Sequence, residues 1–525
     1  MKTPRIMYYE DGRHSHIYTY EPPMQKEEYE AVVNQLLGTP VDTLVFCLGE
    51  GRTMLHDTKA GEFWGHNVDK WPHTIWRRAH QNAKNLIEEG NDPLRIICER
   101  AQSEGFMIYP SLNIQWDSAV RGEGSIWVRV SDFRFDNTDL EIGADGNIDP
   151  DFPGIGCMDF KHEKVRDERF GIIQESVTEY PVDGFEINLA QMPYFFHPKE
   201  TDAGRTIMTE WISKIHSTVK NSGADRKLAI RVINNIDRCF ELGLDVKEWI
   251  KQGIVDVIIV EDRHHRVNPM ADFTPFVQAV EGTSCTMIAV IQNLFQDGSS
   301  PHKVDNIEKT RATACNYWNQ NIGGLFLDRG WFVDAPYGDS FYAKLRELPY
   351  PHLMDEKDKT YYVSYPGRMG DEDTNLQPCP ELPIELSVGI PTHTEFTISD
   401  DLQKWNAVKR IHDVLLRINI VGITELDKLE FKLNGQKLPE SCLRTINLMF
   451  RMSIPENRSI GGYLFIFRPD MQNWPVKGKN DLEITLLKRD PDVITDVAIN
   501  KVEIETKYLL GRNFYHGRSD SDLGE

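Results

Sequence analysis

Eight short apolar runs, alternating with helical stretches over the first 330 residues, constrain this 525-residue chain more than any other feature. They are RIMYYED (5–11), DTLVFCLGE (42–50), FMIYPSLN (106–113), GFEINLA (184–190), LAIRVINN (228–235), VDVIIVED (255–262), TMIAVIQN (286–293) and GLFLDRG (324–330). Between them apolar residues recur at every third or fourth position. Ile207, Met208, Trp211, Ile212, Ile215 and Val219 share one face of RTIMTEWISKIHSTVK, as Val165, Phe170, Ile173 and Val177 do in KVRDERFGIIQESVTEYP. Eight strand–helix units, each with a parallel crossover, predict an α/β fold: a (β/α)8 TIM barrel over residues 1–350. An open doubly wound sheet fits less well, because no run is followed by a glycine-rich phosphate loop.

Beyond residue 350 the pattern changes. PHLMDEKDKTYYVSYPGRMGDEDTNLQPCPELP is rich in proline, charge and turn residues, and predicts a linker or wrapping loop over 351–380. Residues 381–525 then carry β-type runs, among them TEFTIS, DVLLRINIVG, YLFIFRP and DLEITLLKR. The hairpin-like FKLNGQKL and the alternation in KVEIETKY predict a smaller, antiparallel β-sandwich, an accessory domain whose default role is to buttress the barrel.

A net charge of −22 and a pI near 5.2 repel polyphosphate and anionic membrane surfaces, and no basic run offers a nucleic-acid groove. Nucleic acid and membrane are therefore not expected partners, while assembly with identical chains stays open. The eight cysteines show no C-x-x-C pair or zinc-ligand spacing, and several sit in apolar runs, as Cys47 does in TLVFCLG. Buried free thiols in a reducing compartment are expected. MKTPRIMYYEDG lacks the apolar core of a signal peptide, which reads as a cytoplasmic chain, although one with its signal removed would look the same.

In VDGFEINLAQMPYFF (182–196), Phe185, Ile187 and Leu189 facing the helices would turn Glu186 and Asn188 toward the barrel axis. Barrel sites form at the carboxyl ends of the strands, so Glu186 is a candidate catalytic carboxylate. The competing structural role is charge compensation of Arg231 on the next run. Cleavage of a glycosidic bond needs a second carboxylate. Glu261 and Asp262 end the sixth run, with only one of them able to face the axis; Asp328 ends the eighth, and Glu50 follows the second. The seventh ends in Gln292 and Asn293. Trp116, Tyr194, Phe195, Phe196, Trp331 and Phe332 are placed to stack on sugar faces, and Asn113, Gln115, Asn188, Asn234, Asn235, Gln292 and Asn293 to read hydroxyl groups. Arg231 and His265 are expected to tune a carboxylate or hold sugar hydroxyls.

CMDFKHEKVRDERFGIIQESVTEYPVDGFEINL, with its D-F-x-H-x-x-V-R run into a helix and then P-V-D-G-F-E, resembles bacterial glycosyl hydrolase-like (β/α)8 barrels, often described as family-10-like. The likeness is specific over residues 157–198 and diffuse elsewhere. It implies a sugar-active barrel with Glu186 at the matching acidic position. Many retaining barrel glycosidases carry a second carboxylate on strand seven, where this chain has Gln292 and Asn293. That departure moves the expected partner to strand six, Glu261 or Asp262, with Asp328 on strand eight in reserve. The expected activity is hydrolysis of a poly- or oligosaccharide by two carboxylates, without metal or other cofactor.

Two rival readings stand beside it. His14 and His16 after the first run, with His264, His265 and Asp328, loosely resemble metal-dependent amidohydrolase barrels, although no histidine closes strand five. A barrel that binds glycans without cleaving them would also lack the strand-seven carboxylate. A Schiff-base lyase is disfavoured, since no strand end carries an obvious lysine.

Overall fold

The computed structural model describes residues 3–49, 53–116, 120–262, 267–292, 294–295, 303–304, 306–328, 339–363, 382–448, 451–452, 458–459 and 462–509. All eight runs form strands: β1 Ile6–Glu10, β2 Thr43–Gly49, β3 Met107–Asn113, β4 Gly184–Asn188, β5 Lys227–Ile233, β6 Val257–Glu261, β7 Thr286–Ile291 and β8 Gly324–Leu327. Each is parallel to its sequence neighbours, and β1 pairs with both β2 and β8, which closes the barrel. The expected fold class is therefore what the chain adopts.

Side chains that alternate toward the helices meet the amphipathic faces foreseen above. In the helix Thr201–Ser222, Met208, Trp211, Ile212, Ile215 and Val219 are buried while Ile207 stays half-buried. In Glu163–Glu179, Val165, Ile173 and Val177 are buried with Ile172, whereas Phe170 is half-buried. The floor of the barrel is apolar and tight. A Cβ on Gly184 would stand 2.4 Å from the carbonyl oxygen of Lys227 and 2.7 Å from the Tyr109 ring, so only glycine leaves room for that tyrosine.

The segment expected as a linker begins with a short helix, Pro351–Met354, and a strand, β9 Lys359–Tyr362. After it come β10 Pro391–Ile398, β11 Ile411–Val421, β12 Lys428–Leu433, β13 Leu443–Asn447, β14 Gly462–Phe467, β15 Gly478–Lys488 and β16 Ala498–Tyr508. They build two antiparallel sheets, one in the order β9-β16-β11-β14-β13, the other β10-β15-β12 plus Gln436–Lys437. Asn434 (φ 50°) and Gly435 (φ 77°) both take the left-handed backbone that a two-residue hairpin demands, as FKLNGQKL suggested. Leu416, Ile418 and Ile420 of β11 share one core with Leu482, Ile484 and Leu486 of β15.

The barrel helix Ile307–Trp318 carries this sandwich. Its Ala312 belongs to the sandwich core, and the Asn316 amide donates to the carbonyl oxygens of Pro269 and Thr397, both at 3.0 Å. Lys309 lies 2.9 Å from Glu503 of β16, and Lys501 lies 3.0 Å from the same carboxylate. Burial pushes the Glu503 carboxyl up, but the two lysines outweigh it and hold the group below the usual glutamate range. Its stabilisation is complete above about pH 4.3 and is lost as pH falls through the lowered folded value. Lys309→Met should therefore cost roughly 1–3 kcal/mol at pH 7, less than a buried carboxylate stripped of its only partner would lose. Denaturant midpoints should show that gap narrowing as pH falls below about 4.3; a gap of constant size would contradict the pairing.

Cys47, Cys98, Cys157, Cys239, Cys285 and Cys315 are buried free thiols and Cys442 is half-buried. Burial pushes the thiols of Cys239, Cys285 and Cys315 up to about 12. Among the described residues no helix is long and apolar enough to cross a membrane.

Candidate active site

Strand register sets which side chains meet on the axis. Ser111 of β3 is level with Glu186 of β4, Asn113 with Asn188, and Asn188 with Arg231 of β5. Arg231 is level with Ile259 of β6, and Ile233 with Glu261. Because direction alternates along a strand, Glu186, Asn188, Arg231 and Glu261 all face inward. Asp328, one residue past β8, continues the inward phase of Phe326.

Arg231 is the hub. Its Nε donates to Glu186 Oε1 at 2.9 Å, and its Nη1 reaches Asp328 Oδ1 at 2.9 Å and Glu261 Oε2 at 3.4 Å. The guanidinium carbon sits 4.2 Å from the centre of the Phe326 ring and 5.3 Å from that of Tyr9. Gln292 Nε2 donates to Asp328 Oδ2 at 2.8 Å, and the Ser111 hydroxyl donates to Glu186 Oε2. Relative exposures of 0% for Glu186, 1% for Arg231 and Asp328, and 4% for Glu261 and Gln292 place the cluster out of bulk water. Burial works against the guanidinium charge, but Glu186, Asp328 and Glu261 overcome it and hold Arg231 well above its usual range. When all four groups are ionised, negative charges outnumber the positive one.

Around this hub lie amide groups. Asn188 Nδ2 donates to Asn113 Oδ1 at 2.7 Å, and Asn188 Oδ1 accepts from the backbone of Ala190 at 2.9 Å. Two buried donors, Arg231 Nη2 and Asn113 Nδ2, meet no acceptor among the described residues. Such groups are costly to leave unmade and suit an oxygen-rich ligand.

Several expected site residues lie elsewhere. Asp262 turns away from the axis and accepts from the Asn268 amide at 2.8 Å, one residue out of phase with Glu261. Tyr194 is 1% exposed, its ring edge-on to Phe152 at 5.3 Å, so it packs inside the loop layer and offers no face to a sugar. Phe195 and Phe196 are buried as well. Trp116 and Asn234 are half-buried, the Asn234 N–H donating to the Glu261 carbonyl oxygen at 2.8 Å. Asn235 caps the helix Ile236–Glu241, accepting from Arg238 N at 2.9 Å. Gln115 holds the backbone at Tyr194 O (2.9 Å) and Met158 O. Glu50, His264, His265, Asn293, Trp331 and Phe332 lie outside the described residues.

The histidines after β1 do not gather on one point. His14 Nδ1 is 2.7 Å from Asp11, whereas His16 Nε2 is 3.8 Å from Glu10. Asp11 also pairs with Arg13 at 3.2 Å; burial pushes its carboxyl up, yet Arg13 and His14 outweigh this and hold it well below the usual range. Among the described residues, neither histidine joins Glu186 or Asp328 in a group able to share one ion.

The sequence reading missed Ser111, Tyr9 and Asp11, while the alternation that turns Asp328 inward also turns Phe326 inward. Period-two counting from Asn113 would have found Ser111, which lies two residues before that inward amide.

No protein-family model matches the chain, and no curated protein is similar to it. Among solved structures it is similar to a cycloisomaltooligosaccharide glucanotransferase of Paenibacillus sp. (9% identity, 95% of this chain, TM-score 0.35). It is similar to α-L-fucosidase isoenzyme 2 of Paenibacillus thiaminolyticus (10% identity, 68% of this chain, TM-score 0.43). The chain spans 57% and 50% of those two proteins. An endo-β-1,4-mannanase of Thermotoga petrophila is matched over 97% of this chain and 98% of its own, at 10% identity and TM-score 0.43. At such distances the fold assignment rests on the closed strand path itself.

Proposed function

We propose that this chain is a glycoside hydrolase acting on a poly- or oligosaccharide, with Glu261 and Asp328 as the reacting carboxylates. The observation that carries this reading is the gathering of three carboxylates around one arginine at the carboxyl end of the barrel. Glycoside cleavage passes through an oxocarbenium-like transition state, and a water-poor cluster with surplus negative charge stabilises such a cation. The likeness of residues 157–198 to family-10-like barrels supports the same class.

Roles follow from the contacts. Asp328 has one oxygen on Arg231 and the other on Gln292, which favours the ionised form and suits a nucleophile or charge stabiliser. Glu261, whose contact with Arg231 is longer than that of Asp328 (3.4 Å against 2.9 Å), takes the role of proton carrier. Glu186 has both oxygens engaged, by Arg231 and Ser111, two residues short of its strand end; it positions Arg231. Residues 1–350 then form the catalytic barrel, and the strands Lys359–Tyr362 and those from Pro391 onward form an accessory sandwich that braces the barrel through the helix Ile307–Trp318.

Neighbouring residues provide the test. Reducing-sugar release from a panel of poly- and oligosaccharides should fall about 10²–10⁴-fold in Glu261→Gln, whereas Asp262→Asn should stay within about twofold, as for a group off the reaction path. The reverse order would overturn the assignment. The near-complete burial of Arg231 and its partners favours a second reading, a purely structural brace, in which neither substitution alters turnover.

A further inference from the structure

Two long excursions lie beyond the carboxyl-terminal ends of β2 and β3, described over residues 53–73 and 120–162. They meet at three side chains. His66 Nε2 lies 3.1 Å from Glu62 Oε2 and 3.0 Å from Asp132 Oδ2, and the three ligand atoms all fall within 4.8 Å of one another. His66 Nδ1 is 2.8 Å from the carbonyl oxygen of Phe63. A carbonyl can only accept, so Nδ1 carries the hydrogen, and in the neutral ring Nε2 turns a lone pair toward two carboxylate oxygens. Three acceptors cannot face one another unless a proton or a cation stands between them.

We propose that Glu62, His66 and Asp132 bind one divalent cation of the zinc class, which ties the two excursions together. One imidazole and two carboxylates suit a borderline ion, and three protein ligands leave a position for water. Bonds of about 2.0–2.2 Å imply ligand-to-ligand edges of roughly 3–3.5 Å, which the two observed separations already approach. The outer contacts are those of a metal centre: a backbone carbonyl sets the imidazole tautomer, and the Asn67 amide (2.8 Å) and Arg121 take Asp132 Oδ1, leaving Oδ2 for the ion. Glu62 Oε1 accepts from the backbone N–H of Phe133 at 2.9 Å and Oε2 from that of Asp132 at 2.6 Å, which orients the carboxylate and leaves a second lone pair of Oε2 for the ion. Asn67 Oδ1 is a buried acceptor that meets no donor among the described residues, a further oxygen beside the cluster. Side-chain exposures of 26–39% leave the site open on one side.

The experiment uses the full chain, freed of metal by chelator and dialysis and titrated with Zn²⁺, with melting followed in parallel. One equivalent should bind and raise the melting temperature. His66→Gln should lose that step, and Asp132→Asn should weaken it at least about tenfold, while far-UV circular dichroism of both variants stays unchanged. Co²⁺ should report the same site by its visible spectrum, which His66→Gln abolishes. Zinc binding of equal stoichiometry and affinity in wild type and His66→Gln would overturn the proposal. So would a folded wild type that binds no zinc.

Discussion

Asp328→Asn should lower glycan hydrolysis by about a thousandfold or more while the protein still melts within a few degrees of wild type. The amide keeps the shape of the carboxylate. Its oxygen can still accept from Arg231, and a turn of the Gln292 amide can supply the acceptor that the new NH₂ group needs. What disappears is the negative charge beside the sugar's anomeric carbon, and with it the stabilisation of a cationic transition state. The loss should appear mainly in kcat, because the group acts on the transition state more than on the bound substrate. A variant that retains more than a tenth of the wild-type rate would remove Asp328 from the reaction.

Arg231→Met should be the most destabilising single change at the site. Glu186, Glu261 and Asp328 would lose a common counter-ion in a place where their exposures are 4% or less. Removing one partner of a buried ion pair costs about 3–5 kcal/mol, and here three carboxylates are affected together. Methionine still packs against Phe326 and fills most of the volume, so a loss of this size would report electrostatics and not a cavity. Arg231→Lys should fall between, since an ammonium keeps the charge but lacks the fork that bonds Glu186 through Nε and Asp328 and Glu261 through Nη1. Denaturant midpoints of the three proteins measure this; an Arg231→Met midpoint equal to wild type would mean that the cluster is solvated.

The barrel was legible because each strand is a short apolar run bounded by turns and each crossover a helix of clear period. Observed strands are the expected ones trimmed by up to three residues, as in GLFLDRG, where β8 ends at Leu327, except β5, which also begins one residue early at Lys227. The Glu186–Arg231 contact was legible too, since adjacent parallel strands bring inward residues together. The choice between Glu261 and Asp262 was not. At a strand end the phase of alternation can be counted only if the strand remains regular to its last residue, as β6 does through Ile259 and Glu261.

Packing of loop against loop left no local signal. Tyr194 looked like an aromatic at the mouth, yet Phe152 from the excursion after β3 covers it. The metal-ligand cluster joins Glu62 and His66 to Asp132, far along the chain, which no spacing rule connects. In the sandwich the alternation of β11, β15 and β16 was readable, but β9 was hidden in a segment that composition marked as a linker. Its partner, β16, lies more than a hundred residues later, and pairing over that span is set by the tertiary fold.

The most direct test of the central claim is reducing-end release by the purified wild-type chain over a broad glycan panel, beside Glu261→Gln and Asp328→Asn at equal folded concentration. Turnover by the wild type that falls at least about a hundredfold in both variants is the predicted result. Equal rates in all three proteins, or a folded wild type that binds glycans and releases no sugar, would contradict it and leave Arg231 and its carboxylates as a brace.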